Sequence, residues 1–252
     1  MELIKGFVMS LGMFSVIPVT RDSFSDRHMP LVIPSLPIVG MLIGFLWYFI
    51  SEVLLVISMP HMIKTATLLF ASMFLTGFIH VDGFMDTADA FFSHRDIETK
   101  KKILKDPNVG VFAVVAVIFV ALFQFCSIDA ITANGKTTLL FAYVPIVSRC
   151  VVGIATLNMK PLFESGYNAS FMEGKKPQYT LFISLFAAAV LAIAWMIYGI
   201  YALLLLSEAL VGVIAITCLY KHFKGMSGDL CGFTIVFSET AALICMALAV
   251  PR

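Results

Sequence analysis

The stretch Thr76-Gly77-Phe78-Ile79-His80-Val81-Asp82-Gly83-Phe84-Met85-Asp86-Thr87-Ala88-Asp89 concentrates more chemically capable side chains than any other part of the chain. Its acids are spaced i, i+4 and i+7. At about 100° per residue, Asp86 falls roughly 40° and Asp89 roughly −20° from Asp82, so a helix puts all three carboxylates on one face. Like charges one turn apart repel, and a partly desolvated set needs a compensating cation. A hard divalent ion bound through oxygen, Mg²⁺ foremost, is the natural counterion. The competing reading is a helix end that only places acids in water. Against it, Phe84, Met85, Phe91 and Phe92 give the segment an apolar reverse face, while Gly83 and Ala88 keep its backbone accessible.

Two further segments extend this chemistry. Leu104-Lys105-Asp106-Pro107-Asn108-Val109-Gly110 is a turn and helix-start signal in its own right. Beside a carboxylate cluster, Lys105 would neutralise phosphate and Asp106 would join a metal shell. Lys224-Gly225-Met226-Ser227-Gly228-Asp229-Leu230-Cys231-Gly232 is a glycine-rich turn whose backbone N–H groups can approach phosphate, and Asp229 would complete a second metal site. It matches neither a Walker loop nor a dinucleotide fingerprint. Arg149 lies inside an apolar run, where a charge costs about 2.5–3.5 kcal/mol to insert, so it should face a polar cavity or an anion. Glu239, Glu208 and Glu52 raise the same question. His28, His61, His94 and His222 show no ligand spacing and read as surface residues.

The elements that position these groups must be membrane helices. The chain has 252 residues, 60% hydrophobic and 13% charged, with mean hydropathy +0.96. That charge content is about half the soluble average, which excludes a water-soluble globule. A net charge of +1 gives no sign of a nucleic-acid binder. Period-two alternation is absent, so a membrane β-barrel is excluded and an all-α polytopic bundle remains. Apolar runs of about 20 residues are expected over 33–57, 65–81, 109–127, 138–157, 180–198, 201–220 and 233–250. Residues 3–19 read as an eighth span, a re-entrant piece or an interfacial helix, retained rather than cleaved as a signal peptide. The five cysteines show no CxxC spacing and read as buried and reduced.

Twelve Lys and Arg residues fall in loops 21–32, 82–108, 158–179 and 221–232, against Lys64, Lys136 and Arg252 on the other side. Positive charge stays inside, so the four basic loops face the cytoplasm of the cell (inner) membrane, and the chemistry with them. No repeat or linker divides the chain, which reads as one catalytic membrane domain over 1–252. Oligomer formation is left open.

Taken together, these motifs resemble those of the cobalamin synthases, the adenosylcobinamide-GDP ribazoletransferases. The strongest block is Thr76 to Phe92, similar to the family's threonine-glycine, histidine, aspartate-glycine and aspartate-threonine-alanine-aspartate pattern. Lys105 to Phe112 follows at the family's spacing. Ile17 to Arg21, Leu36 to Gly44, Ser148 to Gly153, and Ser227 to Phe233 with Glu239 support it. Ser227 stands where the family usually has threonine and keeps the hydroxyl.

The resemblance implies that a ribose hydroxyl of α-ribazole, or of its 5′-phosphate, attacks the cobinamide-side phosphorus of adenosylcobinamide-GDP and releases GMP. It implies Mg²⁺ held by Asp82, Asp86 and Asp89, with Asp106 or Asp229 holding a second ion or serving as base. Lys105 and Arg149 would neutralise phosphate oxygens, Thr87 and Ser227 would contact substrate, and His80 would orient an aspartate or assist the leaving group. Two rivals stand beside it. A CDP-alcohol phosphotransferase also clusters aspartates, but its Ala-Arg pair after Asp-Gly is missing after Gly83. A cation or metabolite transporter would place its acids near the bilayer midplane and show repeats.

Overall fold

In hydrocarbon each backbone N–H and C=O must be satisfied within its own segment, and the apolar runs accordingly form helices. A computed structural model describes residues 2–20, 22, 24–133, 139–164, 170–171 and 175–249. Among them are α1 (Glu2–Phe14), α2 (Met29–Val56), α3 (His61–Phe74), α4 (Ile79–Phe92), α5 (Ile97–Ile103), α6 (Val111–Thr132), α7 (Leu140–Asn158), α8 (Pro177–Tyr198), α9 (Leu203–Phe223) and α10 (Gly228–Ala249). There is no β-strand among the described residues, only an isolated parallel bridge between Pro161 and Met226.

Helix α7 is the centre of the bundle, with most of its side chains buried. Its tightest neighbour is α2, where a Cβ on Gly40 or Gly44 would strike the carbonyl of Pro145 or Ala142. Small residues four apart let two membrane helices approach this closely. Helix α8 runs antiparallel to α7, since Tyr198 meets Tyr143 while Thr180 accepts from Asn158 at 3.1 Å. Gly199, at φ +56°, reverses the chain, and α9 returns with Gly212 against Val151 of α7 and Ser238 of α10.

Five helical stretches are long and apolar enough to cross a membrane, one of them the α8–α9 stretch. Helices α3 and α4 meet the same criterion only when taken together, across a sharp bend. The apolar run 65–81 reads as one span in sequence, yet α3 and α4 meet at 83°. Gly77 N–H donates to Phe74 and Phe78 N–H to Met73, a Schellman ending with Gly77 at φ +62°. Phe78 follows at φ +61°, and α4 starts at once. The two halves still traverse the bundle together along α6. Thr65 of α3 meets Asp129 near its far end, Phe84 of α4 packs with Val120, and Asp89 reaches Gly110 at its start.

The N-terminal segment is re-entrant. Glu2 pairs with Arg27 at 2.6 Å, so both ends lie at the same side of the bundle. Between them the chain reaches inward until Val16 N–H bonds Leu75 O at 3.0 Å, beside the α3–α4 break, and then returns past Gly12 through Val19 and Phe24.

The basic loops gather at one end. The side chains of Lys100 and His222 meet there, Lys105 Nζ lies 3.9 Å over the Phe163 ring, and Leu162 N–H donates to Met226 O at 2.8 Å while Met226 N–H donates to Lys160 O at 2.9 Å. Two sequence readings are corrected. His28 is buried in the turn before α2 rather than at the surface. Cys126 and Cys218 are exposed on outward-facing helix surfaces, while Cys150 is buried and all five are free.

Candidate active site

Helices α4 and α10 cross at the basic end, and two glycines set how closely. A Cβ on Gly83 would come within 2.8 Å of Asp229 Cα, and one on Gly232 within 3.0 Å of His80 O. That approach joins two motifs far apart in sequence. Asp82, Asp229 and Asp89 all act electrostatically on Asp86, so the four carboxylates form one field. Asp82 is exposed, whereas Asp86, Asp89 and Asp229 are half-buried.

Each acid has its own seat. Ser227 caps α10, its Oγ accepting from Leu230 N–H at 3.3 Å and donating to Asp229 Oδ2 at 3.3 Å. Asp229 therefore sits in the first turn of α10, where the helix dipole favours an anion. The Asp89 carboxylate lies against Gly110 at the start of α6, in space that any side chain at 110 would fill. The ion pairs among the described residues are Glu2–Arg27, His61–Asp129, Glu98–Lys101 and Arg149–Glu239, and none involves these four acids.

A cavity of about 470 Å³ opens beside them. Asp82, Ser227, Gly228 and Asp229 line it together with Ile33, Leu36, Val152 and Ile235, so that most of its lining is apolar. Met13 and Phe14 of the re-entrant segment line it too. His80 lines the same space, with its ring stacked on Phe14 at 6.4 Å and its buried Nε2 without a hydrogen bond. Apart from Ile235 of α10, these apolar residues come from α1, α2 and α7, and nothing in the sequence signals that those segments meet α4 and α10.

The remaining expected residues divide. Lys105 stands near the cavity through its contact with Phe163, which lines it. Asp106 is solvated in a turn of its own, where Asn108 donates from backbone and side chain at 2.9 and 2.7 Å and holds its carboxyl below the usual range. Thr87 is fully buried in α4 and does not line the cavity. Arg149 is 2% exposed and pairs with Glu239, with Ser148 Oγ 2.7 Å from the same carboxylate. Gly225 makes room for Leu162 of the adjoining loop, so Gly228 is the glycine that reaches the cavity.

Among the described residues no three His, Cys, Asp or Glu side chains converge tightly enough to enclose a metal ion. The acids nonetheless suit a hard divalent cation in chemistry and charge. They are all-oxygen donors, drawn from two helices and without a protein cation.

The profile of the family described as cobalamin-5-phosphate synthase matches residues 6–247. The chain belongs to the cobalamin-5-phosphate synthase family. Its similarity to curated relatives runs over nearly the full length. It is 32% identical to an adenosylcobinamide-GDP ribazoletransferase of Clostridium perfringens (strain SM101 / Type A), over 97% of this chain and 98% of the relative. It is 30% identical to the protein of that name from Clostridium botulinum (strain Alaska E43 / Type E3), with 98% of each chain covered. The corresponding Geobacillus sp. (strain WCH70) protein is 27% identical, over 94% and 92%. No solved structure matches the chain significantly. The cobalamin-5-phosphate synthase family places this membrane transferase at a late step of cobalamin biosynthesis.

Proposed function

We propose that the chain joins adenosylcobinamide-GDP to α-ribazole, or to α-ribazole 5′-phosphate, giving adenosylcobalamin or its 5′-phosphate and GMP. The observation that carries the reading is the set of four carboxylates without cations at the edge of a cavity, in a chain matching the family over residues 6–247.

The reaction is a displacement at phosphorus. The ribose hydroxyl forms the new P–O bond to the cobinamide-side phosphorus, the bond to the bridging oxygen breaks, and GMP departs with its electron pair. Asp82, Asp86, Asp89 and Asp229 would hold Mg²⁺, which supplies charge neutralisation on the diphosphate when bound. Asp229 is better placed than Asp106 to receive the hydroxyl proton, because it lines the cavity and Asp106 does not. Lys105, near the cavity through Phe163, offers a positive charge toward the departing phosphate. Arg149 acts through Glu239 on the packing behind the site rather than on phosphate.

Gathering of the basic loops at the acid-bearing end supports a site open to the cytoplasm from the cell inner membrane, with lipid around the remaining helices. The test is product formation by purified protein in detergent or liposomes, following GMP and cobalamin by chromatography with and without Mg²⁺. Metal-dependent formation of both products is expected. A folded, metal-loaded protein that forms neither would overturn the reading.

A further inference from the structure

A second concavity, an apolar groove of about 530 Å³, is lined by α4, α6 and α10. Phenylalanines dominate its lining, and Phe119, Phe123 and Phe237 are exposed, so it opens on the surface that faces lipid. Among the described residues Thr240 is the one polar residue lining it. Its hydroxyl is already used, accepting from Gln124 at 2.8 Å and donating to Val236 O at 2.6 Å. The groove therefore offers a ligand no hydrogen bond and suits hydrocarbon alone.

Its place along the helices narrows the occupant. Helices α6 and α10 run side by side from the basic end, with Thr240 level with Gln124. The strip from Phe112 to Ile244 is then about 24 Å long at 1.5 Å per residue, room for an extended acyl chain. Phe92, the last residue of α4, and Phe112, in the first turn of α6, stand 6.4 Å apart at its basic end. These two residues also flank the most basic loop of the chain, which holds Arg95, Lys100, Lys101, Lys102 and Lys105. Such a cluster directly beside a membrane helix attracts anionic lipid.

Most of those charges are engaged. Lys100 is buried against His222, Lys101 pairs with Glu98 at 3.0 Å, and Lys105 lies over Phe163. Arg95 and Lys102 are exposed and make no ion pair among the described residues. The loop's other carboxylates are turned to local bonds, Asp96 accepting from Thr99 and Asp106 from Asn108.

We propose that this groove holds one acyl chain of an anionic phospholipid from the leaflet at the basic end, with the lipid phosphate at Arg95 and Lys102. The Asp89 carboxylate lies against Gly110, so the phosphate sits on the side of the groove's end away from Gly110. A partner membrane helix fits less well, because close helix contact in lipid uses small residues and this lining is bulky. A second copy on a twofold axis would set the hollow against itself. The proposal stands on the membrane fold and is independent of the transferase chemistry.

The test is native mass spectrometry of delipidated protein in mild detergent, given equal amounts of dioleoylphosphatidylglycerol and dioleoylphosphatidylcholine. Wild type is expected to retain one phosphatidylglycerol per chain, preferred by at least about fivefold, the effect of one or two surface cations on an anionic lipid. Arg95→Gln with Lys102→Gln should remove the preference while a lipid of either kind is still retained. Ala116→Trp, which fills the groove from α6, should abolish retention. Ala241→Phe fills it from α10 and serves if the first variant fails to fold, as judged by gel filtration.

Equal retention of the two lipids by wild type would overturn the proposal. So would unchanged phosphatidylglycerol retention in a folded groove-filled variant, or an undiminished preference in the double glutamine variant. A lipid-free dimer that Ala116→Trp dissociates would overturn it in favour of a second copy.

Discussion

At the basic end of the bundle Asp82, Asp86, Asp89 and Asp229 stand without a cation, whereas deeper in the bundle Arg149 is held by Glu239 and Ser148. Both groups place charge at or near membrane depth, and composition alone does not separate them. Pairing does. The Arg149–Glu239 pair closes on itself, with Gln124 donating to Thr240 at 2.8 Å on the neighbouring turn, and so stabilises one helix arrangement. The acids of α4 and α10 leave their charge open, which is costly for a scaffold and useful for a site that receives a cation and a diphosphate.

The contrast breaks most directly at the open group. Asp82→Ala and Asp229→Asn are each expected to lower turnover by at least about 10³-fold with melting temperature nearly unchanged, as measured by GMP release and a thermal melt. Chelation by EDTA should do the same reversibly. Substitutions in the closed group should behave in the opposite way. Arg149→Met or Glu239→Gln alone strands a buried charge or its partner and should cost about 3–5 kcal/mol, read as loss of folded protein in detergent. The double variant should recover part of that loss. If Arg149→Met stays folded and only kcat falls, Arg149 belongs with the open group.

Gly83→Ala tests the crossing that brings the acids together. Its methyl meets the Asp229 backbone at 2.8 Å, so the helices must separate, and kcat should fall about tenfold. A smaller effect is expected of Lys105→Ala. It removes an exposed positive charge beside the cavity, worth about 0.2–1 kcal/mol toward a phosphate, up to a few-fold in KM for adenosylcobinamide-GDP. The smallest is expected of Asp106→Ala. Asn108 already satisfies this fully solvated carboxylate, so turnover should stay within about twofold; a large loss would move Asp106 into the site.

Much of this contrast is legible in the sequence. The i, i+4, i+7 spacing of Asp82, Asp86 and Asp89 marks the acid face, and the apolar composition requires membrane helices. Arg149 and Glu239 each stand out as charges in apolar runs. Their union does not, because 90 residues separate them and periodicity carries no information across helices. The break in 65–81 was hidden for a different reason. Hydropathy continues smoothly through Leu75 and Phe78, and the one local signal is Gly77, whose left-handed conformation only the backbone reveals. The burial of Glu208, with neither carboxyl oxygen hydrogen-bonded among the described residues, is likewise a property of packing. Tertiary approach also decides the cavity, since Met13, Ile33 and Val152 are unremarkable apolar residues until α1, α2 and α7 surround α4.

The re-entrant segment has a practical consequence for handling the protein. Met13 and Phe14 are part of the cavity wall, and Glu2 is tied to Arg27 at the end of the bundle where the acids lie. Trimming these residues would therefore unroof the cavity while leaving the membrane anchor intact. An affinity tag ahead of Glu2 would emerge on the working face and compete with a bulky corrinoid for room. Helix α10 begins beside the cavity and runs to Ala249 at the opposite end, so purification handles and surface attachment belong at the C-terminal side.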